Sequence, residues 1–178
     1  MKQVYAIEGL DRLGKSSLIE GIRQRLGFFQ VIHFGKPEKL KAYEHATAQG
    51  IVRAAEYTYQ KESFISSMLL AKSGARVIYD RWHLGEVVYS PMYRAFSGDY
   101  VFEIEKNAGM EFANNVQLIL LTENFNISRH FNSDGDSFDD QRRREEQQAF
   151  INAFNRSILP NKKMICVTGI DGNFKWRL

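Results

Sequence analysis

The sequence predicts an α/β protein in which a five-stranded parallel sheet lies between layers of helices. Two observations predict this three-layer fold: short apolar segments recur along the chain, and segments with helical periodicity separate them. Strands that alternate with helices favour parallel pairing, with helices on both faces of the sheet. The length of 178 residues, without an internal linker, indicates a single domain.

Five segments are predicted to form the strands of this sheet. Three of them, residues 4–7, 77–79 and 116–121, are short, apolar and bounded by turn or polar residues, which is the pattern of a buried parallel strand, and the other two are further candidates. The segments are residues 4–7, FFQVIHF around Val31, residues 77–79, residues 116–121 and MICVTGI around Val167.

Three segments between the strands have helical patterns. They are residues 16–26, 52–71 and 141–159. In the last of them Phe150, Phe154 and Ile158 recur every four residues, which predicts a stripe that faces the core. The run QRRREEQQ at the start of this segment is expected to form a solvated helix face.

The composition is close to that of soluble globular proteins, and its charge balance permits nucleotide ligands without proving them. Hydrophobic residues make up 44% and charged residues 25%, so neither disorder nor a membrane span is favoured. The apolar runs are far shorter than the roughly 20 residues that a bilayer requires, and no membrane partner is expected. The net charge of +3 favours phosphate-bearing ligands without marking a dedicated nucleic-acid surface.

Cysteine and histidine usage gives two further expectations. Cys166 is the only cysteine, so an intramolecular disulfide is impossible and a reducing compartment is expected, the cytoplasm or, for a viral protein, the host cytoplasm. The segment MKQVYAIEG runs directly into a strand pattern, without the features of a secretory signal. The 4 histidines share no metal-ligand spacing with cysteine, so no zinc site is expected.

The segment EGLDRLGKSS, which joins the first strand to the first helix, predicts a phosphate-binding loop. Gly9, Gly14, Lys15 and Ser16 satisfy the pattern GxxxxGK followed by Ser or Thr, known as the P-loop. The glycines permit main-chain N–H groups to surround an anion in front of the helix N-terminus. Lys15 is expected to reach the β- and γ-phosphates, and the Ser16 hydroxyl to bind Mg²⁺.

The whole loop is therefore expected to bind the donor nucleotide. Its residues are Gly9, Leu10, Asp11, Arg12, Leu13, Gly14, Lys15, Ser16 and Ser17. Arg12 adds a second permanent cation beside the transferring phosphoryl group. Asp11 would be repelled by phosphate unless it binds a substrate hydroxyl or a metal-bound water. An ion pair between Asp11 and Arg12 within a solvated loop is the alternative.

A second motif, ARVIYDRWHLGEVVY, ends an apolar strand with two charged residues. Asp80 is expected at the carboxyl edge of the sheet, where open α/β folds bind their ligands. There it would hold Mg²⁺ through water or orient the attacking oxygen, and Arg81 would hold the phosphate of the acceptor. A charged pair at the end of a strand is common, so this prediction depends on its combination with the P-loop.

Together these motifs resemble the thymidylate kinase family. Members of that family have an EGxDxxGKS/T loop and a strand that ends in Asp-Arg-aromatic, and this chain has EGLDRLGKSS and IYDRW. The strand LILLTEN, the polar segment after it and the helix from Asp140 resemble the family's fourth strand, LID and following helix. The arginine inside the P-loop is similar to that of one subgroup, and WHLGEVVYSPMYR resembles small kinases of DNA phages.

The resemblance implies a fold and a reaction. It implies one P-loop NTPase domain over residues 1–178, with a LID at about residues 126–144. The implied reaction is phosphoryl transfer from ATP to a deoxynucleoside monophosphate, dTMP or another, with Mg²⁺. The implied partner is a small nucleotide acceptor, and relatives of this fold are often homodimers.

The resemblance also implies roles for charged residues. Lys15, Ser16 and Arg12 would serve the donor phosphates, Asp11 and Arg81 the acceptor, and Asp80 the acceptor or the metal. From the LID region, the candidates to close over ATP are Arg129, Arg142, Arg143 and Arg144. One or two of these are expected to face inward and the rest to be solvated.

Further residues are candidates for the acceptor pocket or the adenine site. Phe34 and Tyr57 would stack on a base, Arg53 is the nearest arginine where the family grips the acceptor, and Glu86, Tyr89, Tyr93 and Arg94 share helical spacing. His83 would touch the acceptor, Glu8 would point into the cleft, and Thr168 would border the adenine. The alternatives are core packing for the aromatic residues, a satisfied polar histidine, and an ion pair of Glu8 with Lys or Arg.

Three other functions remain open from the sequence. A deoxynucleoside kinase would use the same donor site, with Asp80 or Glu8 beside a 5′-hydroxyl. A kinase that acts on a modified base in DNA is compatible with the basic charge. A P-loop NTPase that serves as a switch or assembly protein would hydrolyse a nucleotide without an acceptor.

Overall fold

The computed structural model describes residues 2–35, 49–125, 140–170 and 173–177, with backbone only at 49–53, 140, 169–170 and 173–177. The elements follow in the order β1 (Val4–Gly9), α1 (Lys15–Leu26), β2 (Gln30–His33), α2 (Gln49–Lys72), β3 (Val77–Asp80), α3 (His83–Tyr89), a π-helical turn (Ser90–Arg94), α4 (Tyr100–Asn115), β4 (Val116–Glu123), α5 (Asp140–Arg156), β5 (Lys162–Ile170) and β6 (Asn173–Arg177). None of the described helices is long and apolar enough to cross a membrane.

The predicted sheet of five parallel strands is present, and a sixth strand extends it. The strand order is β2-β3-β1-β4-β5-β6, with β6 antiparallel to β5. β6 was not predicted, although Asp-Gly between two short strands is a strong hairpin signal. The core agrees with the prediction, because β1, β3 and β4 are almost continuously buried between the helices.

The strand order places three polar chain segments at one edge of the sheet. β1 lies between β3 and β4, and all three run parallel, so their carboxyl ends meet at the same edge. Asp80 at the end of β3 pairs in register with Ile7, and Gly9 at the end of β1 pairs with Leu121 of β4. A crevice at such a point, where strand order reverses, is the usual ligand site of open α/β sheets.

The apolar stripe of α5 is shorter than its sequence pattern predicts. Phe150 and Phe154 are buried, as expected, whereas Ile158 is 49% exposed. The helix ends at Arg156, so the periodicity that placed Ile158 on the core face no longer applies. Its backbone N–H instead donates to the Glu105 carboxylate of α4, at 2.9 Å.

A buried hydrogen-bond pair fixes α2 against the end of β3. The Tyr79 hydroxyl donates to the Ser67 carbonyl at 2.6 Å, and the Trp82 indole N–H donates to the Ser67 hydroxyl at 2.8 Å. Tyr79 and Trp82 stack with their centroids 4.8 Å apart. The face of α2 that contains Ser67 therefore has a defined position relative to the crevice.

Candidate functional site

The P-loop follows a path that favours glycine at two positions. Gly9 has a φ of 128°, and a Cβ atom there would overlap the carbonyl oxygen of Leu121 on β4. Gly14 has a φ of 76° and is the N-cap residue of α1. Both angles lie in the left-handed region, which glycine adopts without steric cost. The loop therefore ends at a helix N-terminus, whose first N–H groups attract anions.

Two arginines at this edge have left-handed backbone conformations. The φ angles of Arg12 and Arg81 are 67° and 62°. Such angles cost a non-glycine residue about 1–3 kcal/mol and concentrate at functional sites. The Arg81 backbone N–H donates to the Ile7 carbonyl at 2.9 Å, which fixes this turn against β1.

Lys15 lies at the centre of the loop. Only 7% of its surface is exposed. Its ammonium group donates to the carbonyl oxygens of Gly9 at 3.0 Å and Leu10 at 2.6 Å, and it lies 3.6 Å from the Asp11 carboxylate. Burial lowers the pKa of Lys15, the Arg81 charge lowers it further, and the Asp11 charge opposes both. A cation so poorly hydrated interacts strongly with an incoming anion.

The other loop residues divide into main-chain and side-chain contributors. Leu10 and Leu13 are buried in the core, so they can offer only main-chain groups to a nucleotide. Ser16 and Ser17 are exposed at the start of α1. The Asp11 carboxylate forms an ion pair with Arg81, which links the P-loop to the end of β3.

The Asp11–Arg81 pair separates two cavities. The first cavity has a volume of about 430 Å³ and is lined by Asp11, Arg12, Gly14, Lys15, Ser16, His33, Asp80 and Arg81. The second has a volume of about 540 Å³ and is lined by Asp11, Phe34, Gly35, Glu56, Gln60, Phe64, Arg81, Trp82, Gly85, Glu86, Tyr89, Tyr93, Arg94 and Glu146. Among the described residues, only the two members of the ion pair line both cavities. A ligand in each would therefore meet its neighbour at this pair.

Asp80 lies in the first cavity with one oxygen held and the other without a partner. Oδ2 lies 3.0 Å from His33 Nδ1 on β2, the neighbouring strand. Oδ1 is buried and has no hydrogen-bond partner in the part of the chain that the structure describes. The Ser16 hydroxyl lines the same cavity. Magnesium prefers a few protein oxygens together with phosphate oxygens, so this donor set fits Mg²⁺.

Aromatic and polar side chains share the second cavity. Phe34 stacks on Phe64, with centroids 5.3 Å apart and rings inclined by 10°. Glu86 of α3 forms an ion pair with Arg94 and accepts a hydrogen bond from the Tyr100 hydroxyl at 2.9 Å. Thus three residues predicted to bind the acceptor, Phe34, Glu86 and Tyr89, lie together with Arg81 around one cavity.

Burial also affects the hydroxyl group of Tyr89. It raises the pKa of Tyr89 far above its usual value, and the Glu146 charge adds to the effect. The hydroxyl therefore stays protonated and can donate a hydrogen bond.

His83 and Glu8 lie behind the cavities, which corrects two predictions. His83 is fully buried, and its Nε2 lies 3.1 Å from the Glu105 carboxylate, because the first side chain of α3 turns towards α4. Glu8 is also fully buried, and one of its oxygens accepts the backbone N–H groups of Trp82 at 3.0 Å and Leu84 at 2.9 Å. Burial raises the pKa of Glu8. Glu8 thus ties β1 to the start of α3 and forms no described ion pair with Lys or Arg.

Of four other candidates, two do not line these two cavities, and the side chains of the other two lie outside the described residues. The Tyr57 ring packs edge-on against Tyr100, with centroids 4.8 Å apart, and against Phe96, with centroids 5.8 Å apart. Tyr57 therefore has a packing role in this structure. Arg53 lies in α2, where only its backbone is described, and Arg129 lies outside the described residues with most of the expected LID. Thr168 lies on β5, paired in register with Lys175 of β6.

The three arginines at the start of α5 have different surroundings. Arg143 donates from Nε at 3.0 Å and from Nη2 at 2.7 Å to the Glu123 carboxylate, and its Nη2 lies 3.5 Å from the Asp11 carbonyl. The Arg142 guanidinium lies 5.1 Å from the centroid of Tyr93, and that of Arg144 lies 4.4 Å from the centroid of Phe125. Arg143 therefore reaches the P-loop, and Arg142 lies beside the second cavity.

Sequence reasoning missed several residues that line the cavities. Glu146 accepts a hydrogen bond from the Tyr93 hydroxyl at 3.0 Å, and it is buried although it belongs to the charged run of α5. Its position four residues before Phe150, on the core stripe, was the available signal. His33, Glu56 and Gln60 had no motif that could reveal them.

Comparison with solved structures identifies the architecture. The YorR protein of Bacillus subtilis, solved in complex with phosphorylated GDP, has a TM-score of 0.60 at 15% identity, over 90% of this chain and 84% of that chain. Thymidylate kinases from Candida albicans (0.54, 16% identity, 94% and 84% coverage) and Ehrlichia chaffeensis (0.53, 12%, 95% and 89%) are also similar. The fold is that of a thymidylate kinase-like P-loop kinase.

The likeness lies in the backbone. The sequence matches no protein-family model and no curated protein. In this thymidylate kinase-like fold the P-loop follows β1, and Asp80 and Arg81 follow at the neighbouring strand end, as the sequence predicted.

Proposed function

We propose that this chain is an ATP-dependent kinase that transfers a phosphoryl group to a deoxynucleoside monophosphate, dTMP or another, and releases the diphosphate. One observation carries the proposal: a P-loop cavity and an aromatic-lined cavity meet at the Asp11–Arg81 pair. Phosphoryl transfer requires a donor and an acceptor whose phosphates approach in line. Two cavities that share a charged boundary are suited to that requirement.

The first cavity would hold the donor phosphates. Lys15 would exchange its two carbonyl contacts for phosphate oxygens, and Arg12 would add a second cation beside the γ-phosphate. Ser16 and Asp80 would hold Mg²⁺, and His33 would orient the Asp80 carboxylate. The metal, when bound, supplies charge neutralisation at the phosphate oxygens.

The second cavity would hold the acceptor. Its volume of about 540 Å³ lies within the usual range for small-molecule sites. Arg81 at its boundary would bind the acceptor phosphate, and Asp11 neutralises this guanidinium when the phosphate is absent. Phe34 would provide an aromatic surface for the base.

Two further observations support the proposal. The structural neighbours include a protein solved with phosphorylated GDP and two thymidylate kinases. Arg143, which is paired with Glu123, places its guanidinium Nη2 3.5 Å from the P-loop carbonyl of Asp11. A single cysteine fits a reducing compartment, and we propose that the reaction takes place in the cytoplasm.

The proposal is tested by offering the purified chain ATP, Mg²⁺ and a panel of deoxynucleoside monophosphates and free nucleosides. We expect ADP release that saturates with at least one monophosphate. The variant Lys15→Ala should abolish transfer because it removes the central cation, while Lys72→Ala, an exposed lysine at the end of α2, should leave it unchanged.

Three outcomes would contradict the proposal. They are normal turnover in Lys15→Ala, saturation by nucleosides alone, and ATP hydrolysis that is independent of any acceptor. The last outcome would indicate a switch or assembly NTPase.

A further inference from the structure

The second cavity has a surplus of negative side chains. Its charged lining residues are Asp11, Glu56, Glu86, Glu146, Arg81 and Arg94. Each of the two guanidinium groups forms an ion pair with one of these carboxylates. The surplus carboxylates are Glu56 and Glu146, and the latter already accepts the Tyr93 hydroxyl. The Glu56 carboxylate forms no hydrogen bond or ion pair within the described ranges of the chain.

Gln60 lies one helical turn from Glu56 and lines the same cavity. Only 6% of its surface is exposed, yet its side-chain amide forms no hydrogen bond with the described residues and is not enclosed by the protein. The amide is therefore open to the cavity, where it can form a hydrogen bond with a ligand. Gln60 therefore has the surroundings of a group that contacts whatever fills the cavity.

The next turn of α2 adds an aromatic wall to this pair. Phe64, four residues after Gln60, lines the cavity and stacks on Phe34. The hydrogen bonds between Ser67 and the β3 end hold this face of α2 in a fixed position. One stripe of a rigid helix thus presents a carboxylate, an amide and an aromatic ring to the cavity, on the side formed by α2.

We infer that the base recognised in the second cavity is guanine, read by Glu56 and Gln60. The inference rests on the proposed function and names the acceptor class, a guanine deoxynucleoside monophosphate. The Glu56 carboxylate accepts hydrogen bonds from the adjacent N1–H and N2–H₂ groups of guanine, the Gln60 amide donates to O6, and the ring lies against Phe34. Each partner then satisfies a group that the cavity leaves without one.

The other bases fit these two side chains less well. Thymine has a single N3–H between two carbonyl oxygens, so a carboxylate that accepts this proton also faces oxygen lone pairs. Adenine and cytosine place an amino group next to a ring nitrogen that accepts hydrogen bonds, which again repels a carboxylate. Guanine alone offers two adjacent donors, and a site built for such donors rejects ligands that lack them.

The test measures kcat/KM for dGMP, dAMP, dCMP and dTMP at saturating ATP and Mg²⁺, for the wild type and Glu56→Gln. We expect the wild type to prefer dGMP over dTMP by about 10-fold or more. Glu56→Gln should lower kcat/KM for dGMP by about 10-fold, mainly through KM, and leave the KM for ATP unchanged. The matched control is Glu62→Gln, an exposed carboxylate on the same helix, which should behave as the wild type.

A second variant tests the assignment without loss of folding. Gln60→Leu removes an amide that forms no hydrogen bond with the described residues, so it should unfold at about the same denaturant concentration as the wild type. It should nevertheless lose the preference for dGMP.

The possible outcomes distinguish failure of the guanine assignment from failure of the kinase proposal. Equal or better use of dTMP, or unchanged base preference in both variants, would overturn the guanine assignment while the kinase function stands. Transfer to no monophosphate at all would overturn the kinase function and the guanine assignment together.

Discussion

The two cavities differ in how they are built. The first is formed mainly by one continuous segment, the P-loop and the start of α1, with the ends of β2 and β3. The second is formed mainly by side chains from many elements, which are the P-loop, the end of β2, α2, the β3–α3 junction, α3, the π-helical turn and α5. A main-chain site depends on backbone geometry and fails as a unit when that geometry changes. In a side-chain site a single substitution should alter binding only in part, since each element contributes one part of the surface.

The largest difference between the two sites should come from adding one methyl group to a glycine of the P-loop and to a glycine that lines the second cavity. Gly9→Ala should destabilise the fold by about 3 kcal/mol or more, because the new Cβ would overlap the Leu121 carbonyl and φ is left-handed. Gly85→Ala on α3 should be nearly neutral, because its Cβ would lie 3.6 Å from Glu8, an ordinary contact. Urea unfolding of the two variants measures both effects. Equal free energies of unfolding for Gly9→Ala and Gly85→Ala would contradict the difference that we assign to the two sites.

A second difference should appear in turnover. Asp80→Asn should lower kcat by about 100-fold, an effect typical of removing one group that stabilises transition-state charge. The fold should be retained, because Oδ1 has no described partner to lose. The KM for ATP should change little, since Lys15 and the loop backbone remain. Initial rates measure this, with Asp99→Asn, an exposed carboxylate that pairs with Arg156, as the control.

The smallest effect is expected at the rim of the second cavity. Tyr93→Phe removes the hydrogen bond to Glu146 but keeps the ring, so stability should fall by about 1 kcal/mol or less. The KM for the acceptor should rise a few-fold, and the KM for ATP should not change. A loss in kcat above about tenfold would contradict the graded behaviour that we assign to this cavity.

The same difference explains which parts of the site could be predicted from the sequence. Gly9, Gly14 and Lys15 form a short motif because one backbone turn requires them at fixed spacing. Glu56 and Gln60 have no such spacing relative to Arg81, because they reach the second cavity only after α2 packs against the sheet. Local patterns therefore predicted the first cavity apart from His33, whereas in the second they indicated Phe34, Glu86 and Tyr89 but not the α2 residues.

The fold was predicted more completely than the site, and its errors have similar causes. Each of the five parallel strands can be recognised from an apolar segment of the sequence, whereas β6 is defined by its pairing with β5. His83 follows the Asp-Arg motif closely in sequence, yet the first turn of α3 directs it to Glu105 rather than to the crevice. Ile158 continues the apolar period of α5 beyond the point where the helix ends.

The shared position of the Asp11–Arg81 pair has an energetic consequence for how two ligands bind. A phosphate on either side competes with the Asp11 carboxylate for the same guanidinium, so occupancy of one cavity changes the charge met by the second ligand. Thermodynamic linkage makes this influence reciprocal: whatever factor donor binding applies to acceptor affinity, acceptor binding applies to donor affinity. Under the proposed function the two affinities are thus not independent quantities, and each would have meaning only at a stated concentration of the other ligand.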